Sequence, residues 1–314
     1  MKVFRSLPLL LLAALPLAVS ACAPLSAVGS VTPPQLQGVT EGIQLAYELR
    51  GAGEPVVLVH GGVFGDWFKP LLAQPALAER HRLLSYHRIG YGGSGRSAGA
   101  ASIQQQAAQL RVLMFRLGIT RAHIVGHSSG GNIALQLALD APEMVQSLAL
   151  LEPALTIAPE ESPTSPPARN AAMGTVINAF RAGQKEAAVD GFMRLVAGPD
   201  YRAPLDQALP GWHQQAIAAA DIFFGEELPA VQQWSFRRED AACITAPVLA
   251  VIGEKSSAVS PTWPQRQQRL LTWLPHAEPF VLPGATHLLH VQNPRGMAQR
   301  LAVFFAQHAL VTPP

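Results

Sequence analysis

Six short apolar runs, separated by longer stretches with a helical pattern, constrain the fold of this chain more than any other feature. The runs lie at residues 54–62, 81–87, 122–129, 145–153, 247–253 and 278–284. Strands that are almost continuously apolar are typical of a parallel sheet covered by helices on both faces. The intervening stretches, such as 102–118 and 131–141, have the length and pattern of helices. We therefore predict an α/β fold with a mostly parallel sheet flanked by helices.

One long stretch interrupts this alternation. Residues 158–168 are rich in proline and serine, and residues 170–235 carry helical patterns but no convincing strand. We expect residues 41–155 and 240–314 to form a single sheet-containing core. Residues 156–239 would then be a helical cap inserted between two strands of that core.

The charge pattern argues against one class of partner. The 314 residues carry a formal net charge of +2, with no basic block and no interleaving of basic and aromatic residues. Nucleic acid is therefore not an expected partner. The chain has no CxxC, HExxH or clustered His/Asp pattern, so a zinc site is not indicated. We expect no metal or organic cofactor.

The first 22 residues have the features of a bacterial secretion signal. Two basic residues precede an apolar stretch that is too short, and too often interrupted by proline, for a membrane span. Residues 19–22 resemble a lipobox, in which Cys22 would be lipidated and become the new N-terminus. The alternative is ordinary cleavage nearby, for instance after Ala23, which would release a periplasmic or secreted protein. We expect a cell-envelope protein whose membrane contact is an N-terminal lipid, with residues 23–40 as a flexible tether.

The chain has two cysteines, Cys22 and Cys243. If Cys22 carries lipid, Cys243 has no partner, and its apolar neighbours predict a buried, inert thiol. A disulfide between the two would require that the signal is retained or cleaved elsewhere.

Residues 126–130, which read Gly-His-Ser-Ser-Gly, lie between a predicted strand and a predicted helix. In that context a G-x-S-x-G motif holds its serine on a sharp turn, where small residues let the strand and the helix approach each other. We predict that Ser128 is a nucleophile. The alternative is that Ser128 only caps the helix that follows.

A serine nucleophile needs a base that activates it and donors that hold an oxyanion. Gly62 follows the first apolar run, and we expect its N–H to be one donor, paired with the N–H of Ser129. His287, which follows a tight turn late in the chain, is the candidate base. We interpret His60 and His290 as structural residues.

Taken together, these motifs resemble the α/β-hydrolase superfamily. The resemblance implies a mostly parallel sheet flanked by helices, often with a helical cap after the sixth strand. His87 departs from the pattern because many members carry Asp there, and we interpret that position as structural. The segments that carry the resemblance are HGG (60–62), RIGYGGSG (88–95), GHSSG (126–130), PEMVQSLALLEP (142–153) and PGATHLLHVQNP (283–294).

The resemblance also implies a carboxylate that orients His287. Most relatives carry it three residues after the glycine that ends the strand at 247–253, and this chain has Ser256 there. Two other carboxylates lie at strand ends, Glu254 and Glu152. Glu152 directly follows an apolar run, and some relatives place their acid after this sixth strand, so we predict Glu152 as the acid. Glu254 is the alternative acid, and a hinge beside the cap is the alternative role of Glu152.

These residues predict a serine hydrolase that acts on an ester, thioester or lactone. A small apolar ester-like substrate is expected, since apolar residues of the cap would line an acyl pocket unless they form the cap's own core. Those residues are Met173, Phe180, Phe192, Met193, Trp212, Phe223, Phe224 and Trp234.

Other functions on the same fold stay open. C–C bond hydrolases share the serine triad, and cofactor-free peroxidases are an alternative although they often carry Met where Ser129 stands. Haloalkane dehalogenases and epoxide hydrolases are disfavoured, because they use Asp in place of Ser128. A non-catalytic ligand-binding protein is the alternative from another class.

Overall fold

The computed structural model describes residues 36–40, 43–97, 99–156 and 167–309. The predicted signal, its cleavage site and Cys22 lie outside these residues, and so does most of the predicted tether.

An eight-stranded sheet with the strand order β1-β2-β4-β3-β5-β6-β7-β8 forms the centre of the molecule. The β1–β2 and β2–β4 pairs are antiparallel, and the other pairs are parallel. All six predicted apolar runs are strands, which confirms the α/β prediction. The strands are β1 (Leu36–Thr40), β2 (Ile43–Arg50), β3 (Glu54–Val59), β4 (His81–Tyr86), β5 (Ala122–His127), β6 (Val145–Leu151), β7 (Val248–Gly253) and β8 (Glu278–Leu282).

Strand β1 corrects one expectation. It lies within residues 23–40, which were expected to be a flexible tether, yet its five residues pair in register with β2. The sequence signal failed here because edge strands need only one neighbour, so they can be short and lack a long apolar run.

The described residues form fourteen α-helices. They are α1 (Lys69–Leu72), α2 (Pro75–Ala78), α3 (Ile103–Arg116), α4 (Ser129–Asp140), α5 (Pro167–Arg181), α6 (Lys185–Ala197), α7 (Arg202–Ala208), α8 (Trp212–Ala218), α9 (Ala220–Ile222), α10 (Leu228–Gln233), α11 (Arg238–Ala242), α12 (Ser256–Val259), α13 (Thr262–Trp273) and α14 (Pro294–Gln307). Two 3-10 turns (Asp66–Phe68 and Pro142–Met144) and one π-helical turn (Phe223–Glu227) complete the described part of the chain. No described helix is both long enough and apolar enough to cross a bilayer.

The two faces of the sheet belong to two separate hydrophobic clusters. Along β3, Val57 and Val59 are buried with residues of α3 and α4, whereas Val56 and Leu58 are buried with residues of α14. This alternation follows from the two-residue period of a strand. Burial on both faces explains why the strand is apolar throughout.

The helices from α5 to α11 all lie between β6 and β7, and no strand occurs among the described residues of that segment. We call residues 167–242 the helical insertion. It has a hydrophobic cluster of its own, which also includes residues of the loop after β3, such as Phe64 and Trp67. The insertion therefore packs against the loops at the carboxyl ends of the strands.

Cys243 corrects a second expectation. The thiol was predicted to be buried, but the residue is exposed at the end of α11. The apolar neighbours misled the prediction because only some of them face inward. Ala241 and Ile244 are buried, while Ala242 and Cys243 lie on the solvent side.

Candidate active site

Backbone strain marks one edge of the sheet. Four non-glycine residues have a positive φ among those described, and all four lie in loops at the carboxyl ends of strands. They are Val63, Ser128, Glu152 and Leu289, with φ of 78°, 52°, 44° and 35°. Such conformations are costly and cluster at functional sites. Strained backbone is therefore concentrated in the loops at this edge of the sheet.

Ser128 lies on the turn between β5 and α4. Its φ of 52° and ψ of −124° reverse the chain within one residue, and its N–H donates to the Leu151 carbonyl at 3.0 Å. The glycines of the motif make the turn possible: a Cβ on Gly130 would lie 2.1 Å from the Val59 carbonyl oxygen. The end of β3 and the start of α4 approach each other so closely here that no side chain fits between them.

Gly130→Ala is therefore expected to destabilise the fold by several kcal/mol, because backbone and not a movable side chain meets the new methyl group. The matched control is Gly174→Ala, at an exposed helical position where an added Cβ meets nothing within 4 Å. That change should stabilise the protein by up to ~1 kcal/mol. Thermal unfolding of both variants measures the difference, and equal midpoints would contradict the close approach at Gly130.

Glu152 and His287 form a buried pair. The distance from His287 Nδ1 to Glu152 Oε2 is 2.7 Å, and the other carboxylate oxygen accepts the Gly253 N–H at 2.8 Å. Both side chains are almost fully buried. Because Nδ1–H donates to the carboxylate, the Nε2 lone pair of His287 is left free for a proton.

Glu254, the alternative acid, has no described contact with His287. It is exposed, and its carboxylate accepts the Gly284 N–H at 2.7 Å. Ser256, at the usual position of the acid, is fully buried. The structure thus brings Glu152 to His287, and it does not bring Glu254 there.

Trp263, which the sequence analysis missed, holds the His287 ring from one side. The two rings stack at 3.9 Å between centroids with 14° between their planes. The indole N–H of Trp263 donates to the Val196 carbonyl of the helical insertion at 3.1 Å. On the backbone side, His127 Nε2 donates to the His287 carbonyl at 3.0 Å. The imidazole is therefore fixed by three separate elements.

Burial controls the electrostatics of the pair. Loss of solvent raises the pKa of Glu152 to about 7, although the Ser256 hydroxyl, the Gly253 N–H and Arg266 favour the charged carboxylate. Burial also lowers the pKa of His287 well below its usual range, and Arg266 and Arg169 add to this effect. In both cases the cause is the cost of a charge away from water.

Gly62 and Ser129 present two unused N–H groups. Neither backbone N–H has an acceptor within the described residues, and both residues line the same pocket as Ser128 and His287. A Cβ on Gly62 would collide with the Phe223 ring. The loop after β3 and the first turn of α4 therefore bring two backbone N–H groups without a described acceptor to one pocket, and such donors are what an oxyanion site requires.

The pocket above Ser128 is small and mostly apolar, with a volume of about 60 Å³. Ser128 is only partly buried and lines this pocket. No hydrogen bond joins Ser128 Oγ to His287 among the described residues, although both side chains line the pocket. The remaining lining residues are Val63, Trp67, His127, Ala154, Phe192, Met193, Val196, Phe223, Glu227, Leu228 and Val231.

Of the eight residues expected to line the pocket, three do so: Phe192, Met193 and Phe223. Trp234 packs instead in the main core, where its indole donates to Gln136 at 2.8 Å. The others belong to the hydrophobic cluster of the insertion: Met173, Phe180, Trp212 and Phe224. The sequence could not separate these groups, because apolar residues that line a pocket and those that fill a core share one helical pattern.

Glu227 is a further pocket residue that the sequence analysis missed. It is a buried acid on the π-helical turn of the insertion. Nothing in its sequence neighbourhood distinguishes it from Glu226. Within the described residues, no group of three or more His, Cys, Asp or Glu side chains is arranged to hold a metal ion.

Comparisons with known proteins identify the family. The family model described as "alpha/beta hydrolase fold" matches residues 54–294. Over 275 residues the chain is 26% identical to the dihydrolipoyllysine-residue acetyltransferase component of the acetoin cleaving system of Pseudomonas putida, covering 83% of this chain and 66% of that protein. It is 41% identical over 109 residues to RutD of Azorhizobium caulinodans, a protein named for carbamate hydrolysis, covering 34% of this chain and 40% of that protein. The chain thus spans less than two thirds of either relative.

Solved structures show the same fold. The enol-lactonase from Burkholderia xenovorans is 20% identical with a TM-score of 0.72, covering 86% of this chain and 100% of that chain. A thermophilic esterase from Thermogutta terrifontis is 21% identical with a TM-score of 0.70, covering 88% of this chain and 100% of that chain.

Proposed function

This chain belongs to the α/β-hydrolase family, and on that basis we propose that it is a serine hydrolase that cleaves a carboxylic ester, thioester or lactone through an acyl-enzyme. One observation carries the proposal. The buried Glu152–His287 hydrogen bond ends at the pocket into which Ser128 projects from a strained turn. Relatives named for carbamate hydrolysis and structures of an esterase and a lactonase support hydrolysis as the reaction class.

The proposed reaction uses five groups of this chain. His287 Nε2 removes the proton of Ser128 as its oxygen attacks the acyl carbon, and the Gly62 and Ser129 N–H groups hold the oxyanion. His287 then gives that proton to the leaving alkoxide or thiolate. Water, activated by His287, hydrolyses the acyl-serine and restores the free enzyme. Glu152 remains a carboxylate and stabilises the imidazolium in both steps.

The pocket favours a short acyl group. Its apolar walls come largely from the insertion, and the enclosed space is only about 60 Å³. We propose that the insertion acts as a cap over the acyl chain. Long acyl chains would have to displace the partly buried Phe192 or the buried Met193.

Covalent labelling of the wild-type protein with a fluorophosphonate tests this function. One phosphonyl group on Ser128, located by mass spectrometry of the peptide, is expected. A panel of p-nitrophenyl esters of increasing chain length, with lactones alongside, should then show faster turnover of the short esters. A protein that neither reacts with the probe nor turns over any ester would favour a ligand-binding role instead.

The pH dependence of kcat/KM follows from the buried pair. Because burial raises the pKa of Glu152 to about 7, the pair binds a proton as the pH falls through about 7. A proton on His287 removes the base, and a proton on Glu152 removes the charge that stabilises the imidazolium. We therefore expect kcat/KM to be constant above about 7 and to fall about tenfold per pH unit below it. Rates from pH 5 to 9 measure this, and a plateau that extends to pH 5 would refute the assignment.

A further inference from the structure

A buried polar network lies behind the two oxyanion donors. Arg88, Glu227, Tyr91 and Ser129 are each at most 4% exposed, and His60 is fully buried. Arg88 Nη2 lies 2.8 Å from Glu227 Oε1, which also accepts the Ser129 hydroxyl. The other carboxylate oxygen of Glu227 accepts the Tyr91 hydroxyl. One acid of the helical insertion therefore joins three side chains of the core.

Two donors converge on the Gly61 carbonyl. Arg88 Nη2 donates to it at 2.9 Å, and His60 Nδ1 lies 2.6 Å from it. His60 Nε2 accepts the Arg88 backbone N–H at 2.9 Å, so the proton of the neutral ring is on Nδ1, which donates. Burial, reinforced by Arg88, lowers the pKa of His60 well below its usual range, which keeps the ring neutral.

The Gly61 carbonyl and the Gly62 N–H belong to the same peptide group. A carbonyl that accepts two hydrogen bonds, one from a cation, polarises its peptide and strengthens the N–H as a donor. The same two bonds fix the plane of the peptide, and therefore the direction of the N–H. Arg88 and His60 thus act on one proposed oxyanion donor through a single peptide.

We propose that Glu227 is a positioning residue for both oxyanion donors. It holds Arg88 against the Gly61 carbonyl, and it holds the side chain of Ser129, whose own N–H is the second donor. The insertion thereby contributes to the chemical step as well as to the walls of the pocket. This inference rests on the proposed function and extends it.

The charge of Glu227 has to be balanced for this role. A carboxylate beside an oxyanion site would oppose the negative charge that develops there. Arg88 neutralises it at 2.8 Å. A buried ion pair of this kind is not required for stability, since an apolar pair of similar volume is often equally stable. Its presence beside the donors therefore calls for a functional explanation.

Two variants separate a positioning role from a structural one. Glu227→Gln keeps the shape and the acceptor oxygen but removes the charge, while Arg88→Met with Glu227→Met replaces the whole pair by apolar side chains. Loss of an entire oxyanion donor lowers kcat roughly 10²–10³-fold. We expect a roughly tenfold lower kcat for the Gln variant and a roughly hundredfold lower kcat for the double variant, with KM changed less than about twofold. The matched control is Glu226→Gln on the same turn, which should retain wild-type kinetics.

Affinity for an aryl boronic acid, which forms a tetrahedral adduct with an active serine, gives a second readout. It should weaken by the same factor as kcat/KM, because only the adduct places an oxygen between the donors. Folded variants with wild-type kcat and wild-type boronate affinity would overturn the proposal, and the isosteric Gln variant decides the question if the double variant does not fold. Failure of the proposed function is seen separately, as a wild-type protein that does not react with the fluorophosphonate, and it would overturn this inference too.

Discussion

Ser128→Ala is expected to lower kcat by roughly 10⁴–10⁶-fold and to abolish fluorophosphonate labelling. In the proposed mechanism the change removes the oxygen that forms the acyl bond, and the proposed base and acid should have little effect without it. The residual rate would come from the oxyanion donors and from substrate binding. KM should change little, because the pocket walls remain. Steady-state kinetics and intact mass after labelling measure these effects, and a variant that is still labelled at the wild-type rate would remove Ser128 from the mechanism.

A second variant at the same position tests the strain. Ser128 has a φ of 52°, which glycine adopts without penalty and alanine does not. Ser128→Gly should therefore raise the free energy of unfolding by about 1 kcal/mol relative to Ser128→Ala, while both are inactive. Equal stability of the two variants would mean that the turn stores no strain.

Glu152→Ala is expected to lower kcat by roughly 10³–10⁴-fold. Without the carboxylate, the His287 imidazolium loses its partner at 2.7 Å and the ring loses the contact that selects its tautomer. Glu254→Ala is the matched control, since its carboxylate binds the Gly284 N–H in an exposed loop. Activity that depends on Glu254 and not on Glu152 would reverse the assignment of the acid.

A substitution at Ser256 tests whether the proposed acid can be moved from position 152 to position 256. Ser256 is buried, and its hydroxyl favours the charged carboxylate of Glu152. An added Cβ on Gly253 would lie 2.7 Å from the Ser256 hydroxyl oxygen. In the Glu152→Ala background, Ser256→Asp should restore kcat at least tenfold, because a carboxylate again reaches the neighbourhood of His287 Nδ1. In the wild-type background the same change places two carboxylates together in a buried site and should reduce stability. If the aspartate restores nothing, the strand-end position of Glu152 is essential to its role.

The fold was accessible from the sequence because its strands are buried on both faces. The runs from β3 to β8 could be recognised individually, and the insertion appeared as a gap in the strand pattern. Strand β1 and the exposure of Cys243 could not be predicted, since edge pairing and the solvent side of a short helix depend on distant neighbours. The local turn around Ser128 was predicted from five consecutive residues, because its geometry is set within those residues.

The sequence by itself therefore determined the α/β class and named Ser128, His287 and Glu152 as candidates. Only the tertiary structure decided that Glu152 and not Glu254 lies at His287, because strand ends far apart in the chain become neighbours only in the assembled sheet. Tertiary structure also placed Trp263 on the His287 ring and Glu227 beside Arg88 and Ser129. These contacts join residues about 24 to 140 positions apart, and no local pattern encodes them. Candidate catalytic residues can be recognised from short sequence motifs, whereas the residues that contact and orient them are determined by tertiary packing.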